Sequence, residues 1–228
     1  MTPPQDRSRQ FGTQTLARGL NALLAVVESP GGVSVQELAQ RLEVHRSIAY
    51  RMLQTLGDFG FVHASGDGRY RVGARLAGLS TAYLPTLRAT ALPVMWEVAD
   101  RVRASVALFV VEGEAAVAIE MVVPITAGHH IAFHQGERTS LDRGAAAYAL
   151  RAALPPVPGE PEGVQQVRET GFAYSRSEIE VGAHAIAAPI RGVHPTACLV
   201  LITHLEERAR ESAPSVLKAA ESISADTV

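Results

Sequence analysis

The sequence predicts an α+β protein in three parts: a small helical head ending in a β-hairpin, a helical connector, and a larger antiparallel-sheet domain covered by helices. Three observations predict it. Over the first 84 residues, three short segments with helical spacing lead into two β-prone runs joined by a tight turn. Beyond residue 104, strand-like apolar runs follow one another with helical segments before and after them, the order of an α+β sheet domain. The charge divides along the same line. Residues 1–84 hold nine Arg (7, 9, 18, 41, 46, 51, 69, 71 and 75) against six acids, a balance of +3, so a chain of net charge −2 carries −5 in the remainder. A basic head on an acidic body fits a nucleic-acid-binding part joined to a part that binds something else.

The boundaries read from this pattern are 1–75 for the head, 76–92 for the connector and 93–228 for the sheet domain. With 228 residues, 47% of them apolar, the chain can bury two modest cores. No apolar run reaches the roughly 18 residues needed to span a bilayer, and "MTPPQDRSRQFGTQT" has no signal-peptide core. The expectation is a cytoplasmic protein with no membrane partner. Cys198, the sole cysteine, excludes an internal disulfide and a Cys-rich zinc site, and in "TACLVLIT" it reads as a small apolar filler.

In the head, "TLARGLNALLAVVES" puts Leu16, Leu20, Leu23, Leu24 and Val27 at helical spacing, and "SPGG" stops that helix. Ser34 then caps "VQELAQRL", and Glu37 three residues on completes a capping box. The third helix buries a narrow stripe, Ala49, Met52, Leu53 and Leu56, at i, i+3, i+4 and i+7. At about 100° per residue its opposite face carries Ser47, Arg51, Gln54 and Asp58, flanked by Tyr50 and Thr55. Guanidinium, amide, hydroxyl and phenol donors are the groups that read base edges and hold phosphates in a major groove. Phe61 to Ala64 and Arg69 to Val72, joined by "SGDG", form a hairpin whose Arg69 and Arg71 share a face. Three helices and a hairpin make a winged helix-turn-helix. Its candidate DNA-binding residues are Arg46, Ser47, Tyr50, Arg51, Gln54, Arg69 and Arg71.

The connector "RLAGLSTAYLPTLRATALPVMWEVADRV" is helical, with breaks expected at Pro85 and Pro93; Leu76, Leu79, Tyr83 and Leu87 form its candidate pairing surface. Expected strands are "SVALFVVEG", "AAVAIEMVV", "HHIAFHQ", "AHAIAAPIR" and "TACLVLIT". Expected helices are "DRGAAAYALRAAL", "VQQVRETG" and one from Leu205 to about Ser224, with "PPVPGEPEG" as a loop.

The head from "QTLARGLNALLAVVES" through "SIAYRMLQTLGDFGFV" to "GRYRVGARL" resembles the IclR-type transcriptional regulators of bacteria. Ile48 stands where the family usually has Thr, replacing a hydroxyl with a group able to meet a thymine methyl. A second block, "GFAYSRSEIEVGAHAIAAPI", resembles the family's effector-domain signature, with Ser177 where Gly is common. The resemblance covers nearly the whole chain and implies a GAF-like effector domain, a double-stranded, palindromic DNA operator and a homodimer or tetramer, with no cofactor. It also implies a small-molecule site at Leu141, Gly144, Ala145, Ala146, Ser175, Ala183, Ala185, Val200 and Ile202. Strand alternation separately puts Ala183 and Ala185 on one face, and Cys198, Val200 and Ile202 on one face. Alanines leave room and Val200 and Ile202 are apolar, so the expected ligand is aromatic or otherwise largely apolar, in a roomy pocket.

A competing reading is an enzyme or a non-regulatory sensor with an appended winged helix. His129, His130 and His134 suggest a metal or acid/base cluster, but on a strand His130 and His134 would lie about 13 Å apart and His129 would face away. Arg176 and Glu178 lack a nucleophile or second carboxylate at useful spacing, and "SPGG" and "SGDG" are too short for a phosphate loop. The sequence therefore points away from catalysis and from a metal site.

Overall fold

The structure, a computed structural model, describes residues 13–80, 82–124, 131 and 133–227. Two compact units divide the chain, Met1–Tyr83 and Leu84–Val228.

In the first unit, α1 (Gln14–Val27) is followed by a two-residue strand, β1 (Val33–Ser34), then α2 (Val35–Arg41) and α3 (Arg46–Asp58). The capping box forms as expected: Ser34 Oγ accepts from the Glu37 N–H, and the Glu37 carboxylate accepts from the Ser34 N–H. β2 (Val62–Ala64) and β3 (Arg69–Val72) make the hairpin, and β1 adds to its far side in the order β1-β3-β2. Ala49 and Leu53 of α3 are fully buried against Ala22, Val26 and Leu38, with Met52 and Leu56 at the margin. Each large apolar side chain so buried contributes about 1.5–3 kcal/mol.

α1 departs from its expected packing. Its buried residues are Ala22, Ala25 and Val26, whereas Leu16, Leu20, Leu24 and Val27 are 47–62% exposed. Of the predicted leucine stripe only Leu23 packs against this unit's core. The connector span is likewise not one helix: α4 (Arg75–Ser80) ends before Leu84, which is left-handed at φ 46°, and α5 (Pro85–Val102) begins with Pro at its first position. Pro85 marks a break, as expected, because a first-turn residue needs no N–H donor. Pro93 does not, since α5 runs through it. Leu87 is buried in the second unit's core, which removes it from the proposed pairing stripe.

The second unit holds one six-stranded antiparallel sheet. After α5 come β4 (Ser105–Glu112), β5 (Ala115–Val122), β6 (Arg138–Ser140), α6 (Ala145–Ala153), α7 (Glu162–Thr170), β7 (Ala173–Arg176), β8 (His184–Ile190) and β9 (Ala197–Thr203). α8 (Glu206–Glu211) and α9 (Ala213–Thr227) close the chain, and the strand order is β6-β5-β4-β9-β8-β7. Strand alternation splits the side chains between two cores. Val106, Leu108, Leu199 and Leu201 pack with α5 and α9, while Ala107, Phe109, Cys198, Val200 and Ile202 face α6.

Two expected elements differ. Of "HHIAFHQ", His129 and His130 lie outside the described residues, and Ile131, Phe133 and His134 are not strand; the third strand is instead β6, paired to β5. The expected last helix is two, broken at Ser212. Pro214 in the first turn of α9 has no N–H to continue the ladder of α8. Among the described residues no helix is long and apolar enough to cross a membrane.

Candidate functional site

α3 begins at His45, whose ring accepts from the Ser47 N–H and lies 2.9 Å from Ser47 Oγ. This cap went unread in the sequence, because His is not among the usual capping residues. Arg46, Ser47, Tyr50, Arg51 and Gln54 are all exposed, so α3 does bring them to one open surface. Gln54 donates to the Tyr50 hydroxyl at 3.0 Å, pre-ordering that pair. The guanidinium groups of Arg46 and Arg51 have no partner among the described residues.

The two hairpin arginines are engaged elsewhere. Arg69 donates to the Gly31 and Gly32 carbonyls and, through Nη2, to both Glu37 oxygens at 3.0 and 2.8 Å. It clamps the wing to α2. The Ser34 N–H and then Arg69 hold the Glu37 carboxyl below its usual range. Arg71 pairs with Asp67 at 2.8 Å. Asp67 is held at about 2, chiefly by the Ser65 hydroxyl and the Arg69 N–H. The expectation that Arg69 points freely to DNA therefore meets a structural role; Arg71, more loosely held in an exposed pair, keeps its reach.

On the α6 face of the second sheet lies a cavity of about 40 Å³. Gly144, Ala145, Ala146, Ser175, Ala183, Ala185, Val200 and Ile202 all line it. Leu141 does not; it packs in the apolar cluster behind. The pocket is tighter than the alanines suggest. Phe109, Ile131, Phe133 and Ile179 occupy the space, Phe109 meeting Phe133 edge-on at 5.5 Å. At about 10–15 Å³ per water the remaining volume holds roughly three waters, so an aromatic ligand must displace these side chains. Phe109 was readable from strand alternation; Phe133 and Ile179 come from loops and were not.

The polar end of the cavity is built on α6. Gly144 precedes the helix at φ +93°, and a Cβ there would lie 2.8 Å from the Ile179 side chain, so only glycine fits. Ser175 Oγ accepts from the Ala145 N–H at 3.0 Å. Glu178 Oε2 accepts from the Gly144 N–H at 2.8 Å and from the Tyr148 hydroxyl at 2.7 Å. Burial, and then the Glu178 carboxylate, push the Tyr148 hydroxyl above its ordinary value, so it stays a donor. Ser177, where glycine is common in the family, sits at φ 55°; its Oγ accepts from the Gly182 N–H across the loop.

Arg176 leans to Glu206 at 3.8 Å while Glu178 turns to α6, so the two form no pair. Cys198 is buried, its Sγ 3.7 Å from the Ala146 carbonyl, and burial pushes its thiol far up. His129 and His130 lie outside the described residues, and among the described residues no group of three His, Cys, Asp or Glu is placed to hold a metal.

A winged helix with an open donor face, on a chain whose second unit is an antiparallel sheet faced by helices, defines a helix-turn-helix transcriptional regulator. Residues 15–66 match the IclR helix-turn-helix domain. Over most of its length the chain is similar to IclR-type transcriptional regulators. It is similar to an HTH-type transcriptional regulator of Mycobacterium tuberculosis, 28% identical over 215 residues, covering 85% of this chain and 83% of the relative. The transcriptional repressor IclR of Escherichia coli is 26% identical over 243 residues, covering 92% and 88%. In fold the chain is similar to an IclR homolog from Microbacterium hydrocarbonoxydans complexed with 4-hydroxybenzoate, with TM-score 0.78, 23% identity and coverage of 93% and 98%. The Thermotoga maritima IclR gives TM-score 0.74 at 23% identity, covering 94% and 98%.

Proposed function

We propose that the chain is a ligand-responsive regulator: α3 enters the major groove of a palindromic operator, and an aromatic acid entering the sheet cavity changes the affinity for DNA. The observation that carries the DNA half is the α3 face, where Arg46 and Arg51 are exposed without partners beside the ordered Tyr50–Gln54 pair. The ligand half rests on a cavity walled by Phe109, Phe133, Val200 and Ile202, with Ser175 and Glu178 among the few polar side chains lining it. The 4-hydroxybenzoate complex of the Microbacterium homolog supports the same ligand class.

Replacing Arg51 with Ala is expected to weaken specific binding to the DNA upstream of its own gene by about 1–3 kcal/mol. An unchanged affinity in a titration at fixed salt would sink the α3 assignment. The ligand half is tested by calorimetric titration of wild type and Ala185→Trp with 4-hydroxybenzoate and small oxo acids. The indole should fill the cavity and abolish binding of the aromatic acid; binding of oxo acids alone, or equal binding by both proteins, contradicts the reading.

One short helix in one groove gives too little specificity for a genome, so we infer a two-fold assembly. The exposed apolar face of α1, Leu16, Leu20, Leu24 and Val27, is the surface offered for it. Sedimentation at micromolar concentration should show at least twice 24.2 kDa, and a monomer with and without DNA would exclude the assembly.

A further inference from the structure

We propose that Ile48 reads sequence on the DNA-binding face, covering the 5-methyl group of a thymine in each half of the operator. This deepens the α3 reading above and rests on it.

α3 presents two stripes side by side. Ser47, Tyr50 and Gln54, at i, i+3 and i+7, form a polar one, with Gln54 bound to the Tyr50 hydroxyl. Ile48, Arg51 and Thr55 repeat the same spacing one residue on, and all three are exposed. In this second stripe the hydrogen-bonding capacity is concentrated in Arg51. Thr55 Oγ1 already donates to the Arg51 carbonyl at 3.0 Å, and Ile48 has no polar side-chain atom. Ile48 stands 39% exposed, while Met52, one turn on, is drawn against the head's core. A lone exposed isoleucine is ordinary on a protein surface. Its place singles this one out: it lies in the first turn of α3, the part of a recognition helix that meets base edges, beside an arginine with no partner among the described residues.

In the major groove an isoleucine has one matching surface. Phosphates and the nitrogen and oxygen atoms of base edges require donors or charge, which Ile48 lacks; the thymine methyl is the apolar group that a base pair presents there. Contact removes hydrocarbon from water on both sides, whereas cytosine at the same position offers an amino group and no methyl. Ile48 therefore favours an A·T pair in one orientation, next to the contact made by Arg51.

The test compares DNA from upstream of the chain's own gene, made once with thymine and once with deoxyuridine throughout, which differ only in the 5-methyl groups. Titrated at fixed salt, the full wild-type chain should bind the uracil DNA about fourfold more weakly for one covered methyl, or about fifteenfold for one in each of two half-sites. Ile48→Ser should bind both DNAs alike, and Ile48→Val should keep most of the wild-type preference. Replacing thymines one at a time should confine the loss to one position in each half-site. Equal binding of both DNAs by wild type, or an equal loss on uracil DNA in wild type and Ile48→Ser, overturns the proposal; if Arg51→Ala still weakens binding, the α3 reading stands without it. Unchanged binding by Arg51→Ala removes both.

Discussion

Glu120→Ala is expected to destabilise the sheet unit by about 3–5 kcal/mol, the cost of removing one partner from a buried ion pair. Glu120 on β5 is 7% exposed and accepts from Arg88 Nε at 3.0 Å and Nη2 at 2.6 Å, while Gln135 donates to its other oxygen at 2.8 Å. Three segments distant in sequence, the first turn of α5, β5 and the loop after Phe133, are thereby held on one carboxylate. Alanine would strip the half-buried Arg88 guanidinium of that carboxylate and leave the Gln135 amide without its acceptor. For a unit of this size the loss corresponds to a midpoint lower by about 10 °C. Replacing both Arg88 and Glu120 with Met should cost much less, since the pair's own net contribution is small once both charges are gone. Thermal unfolding of the single and double variants decides it, and a single variant within about 1 kcal/mol of wild type would show the pair to be incidental.

The second large effect falls on a glycine in the head. Gly73 is buried at the end of the wing, its N–H donating to the Phe61 carbonyl at 2.8 Å. A Cβ added there would lie 2.2 Å from the Gly60 carbonyl oxygen and 2.8 Å from the Phe61 carbonyl carbon. Backbone cannot swing aside as a side chain does, so Gly73→Ala must separate the strand end from the turn after α3. The adjacent Val62–Val72 pairing would loosen with it. The cost is about 1–3 kcal/mol or more, a large fraction of the stability of a small unit. Gly66→Ala, at a hairpin position with open space, is the control and should be nearly silent. Urea unfolding followed by the head's own signals separates the two variants; equal midpoints would mean the contact relaxes without cost.

Neither site could be read from sequence spacing, and the reason is physical. Gly73 is required by a backbone approach across a hairpin, and Glu120 by partners 32 and 15 residues away; no local periodicity encodes either. What was legible were short-range regularities. The capping box at Ser34 and Glu37, the Ala49–Leu53 stripe of α3 and the alternation of Cys198, Val200 and Ile202 all follow from a repeat of the backbone itself. α1 shows the limit of that kind of inference. Its leucines recur as a buried face would, yet Leu16, Leu20 and Leu24 lie exposed, because periodicity says which residues share a side and not what covers it. The cavity repeats the lesson: the strand residues that line it were found by alternation, while Phe133, Arg143, Glu178 and Ile179 arrive from loops and a helix start whose approach depends on the completed fold.

The central claim is that one ligand in the sheet cavity and one DNA site on the head bias the same molecule. Coupling of this kind is reciprocal: the factor by which the ligand changes DNA affinity equals the factor by which DNA changes ligand affinity. The most direct measurement is therefore a pair of titrations of the full chain, DNA binding with and without saturating 4-hydroxybenzoate, and 4-hydroxybenzoate binding with and without saturating upstream DNA. The account predicts two equal ratios, different from one by about 5- to 150-fold. Ligand binding that leaves DNA affinity untouched, with both ratios at one, would contradict it.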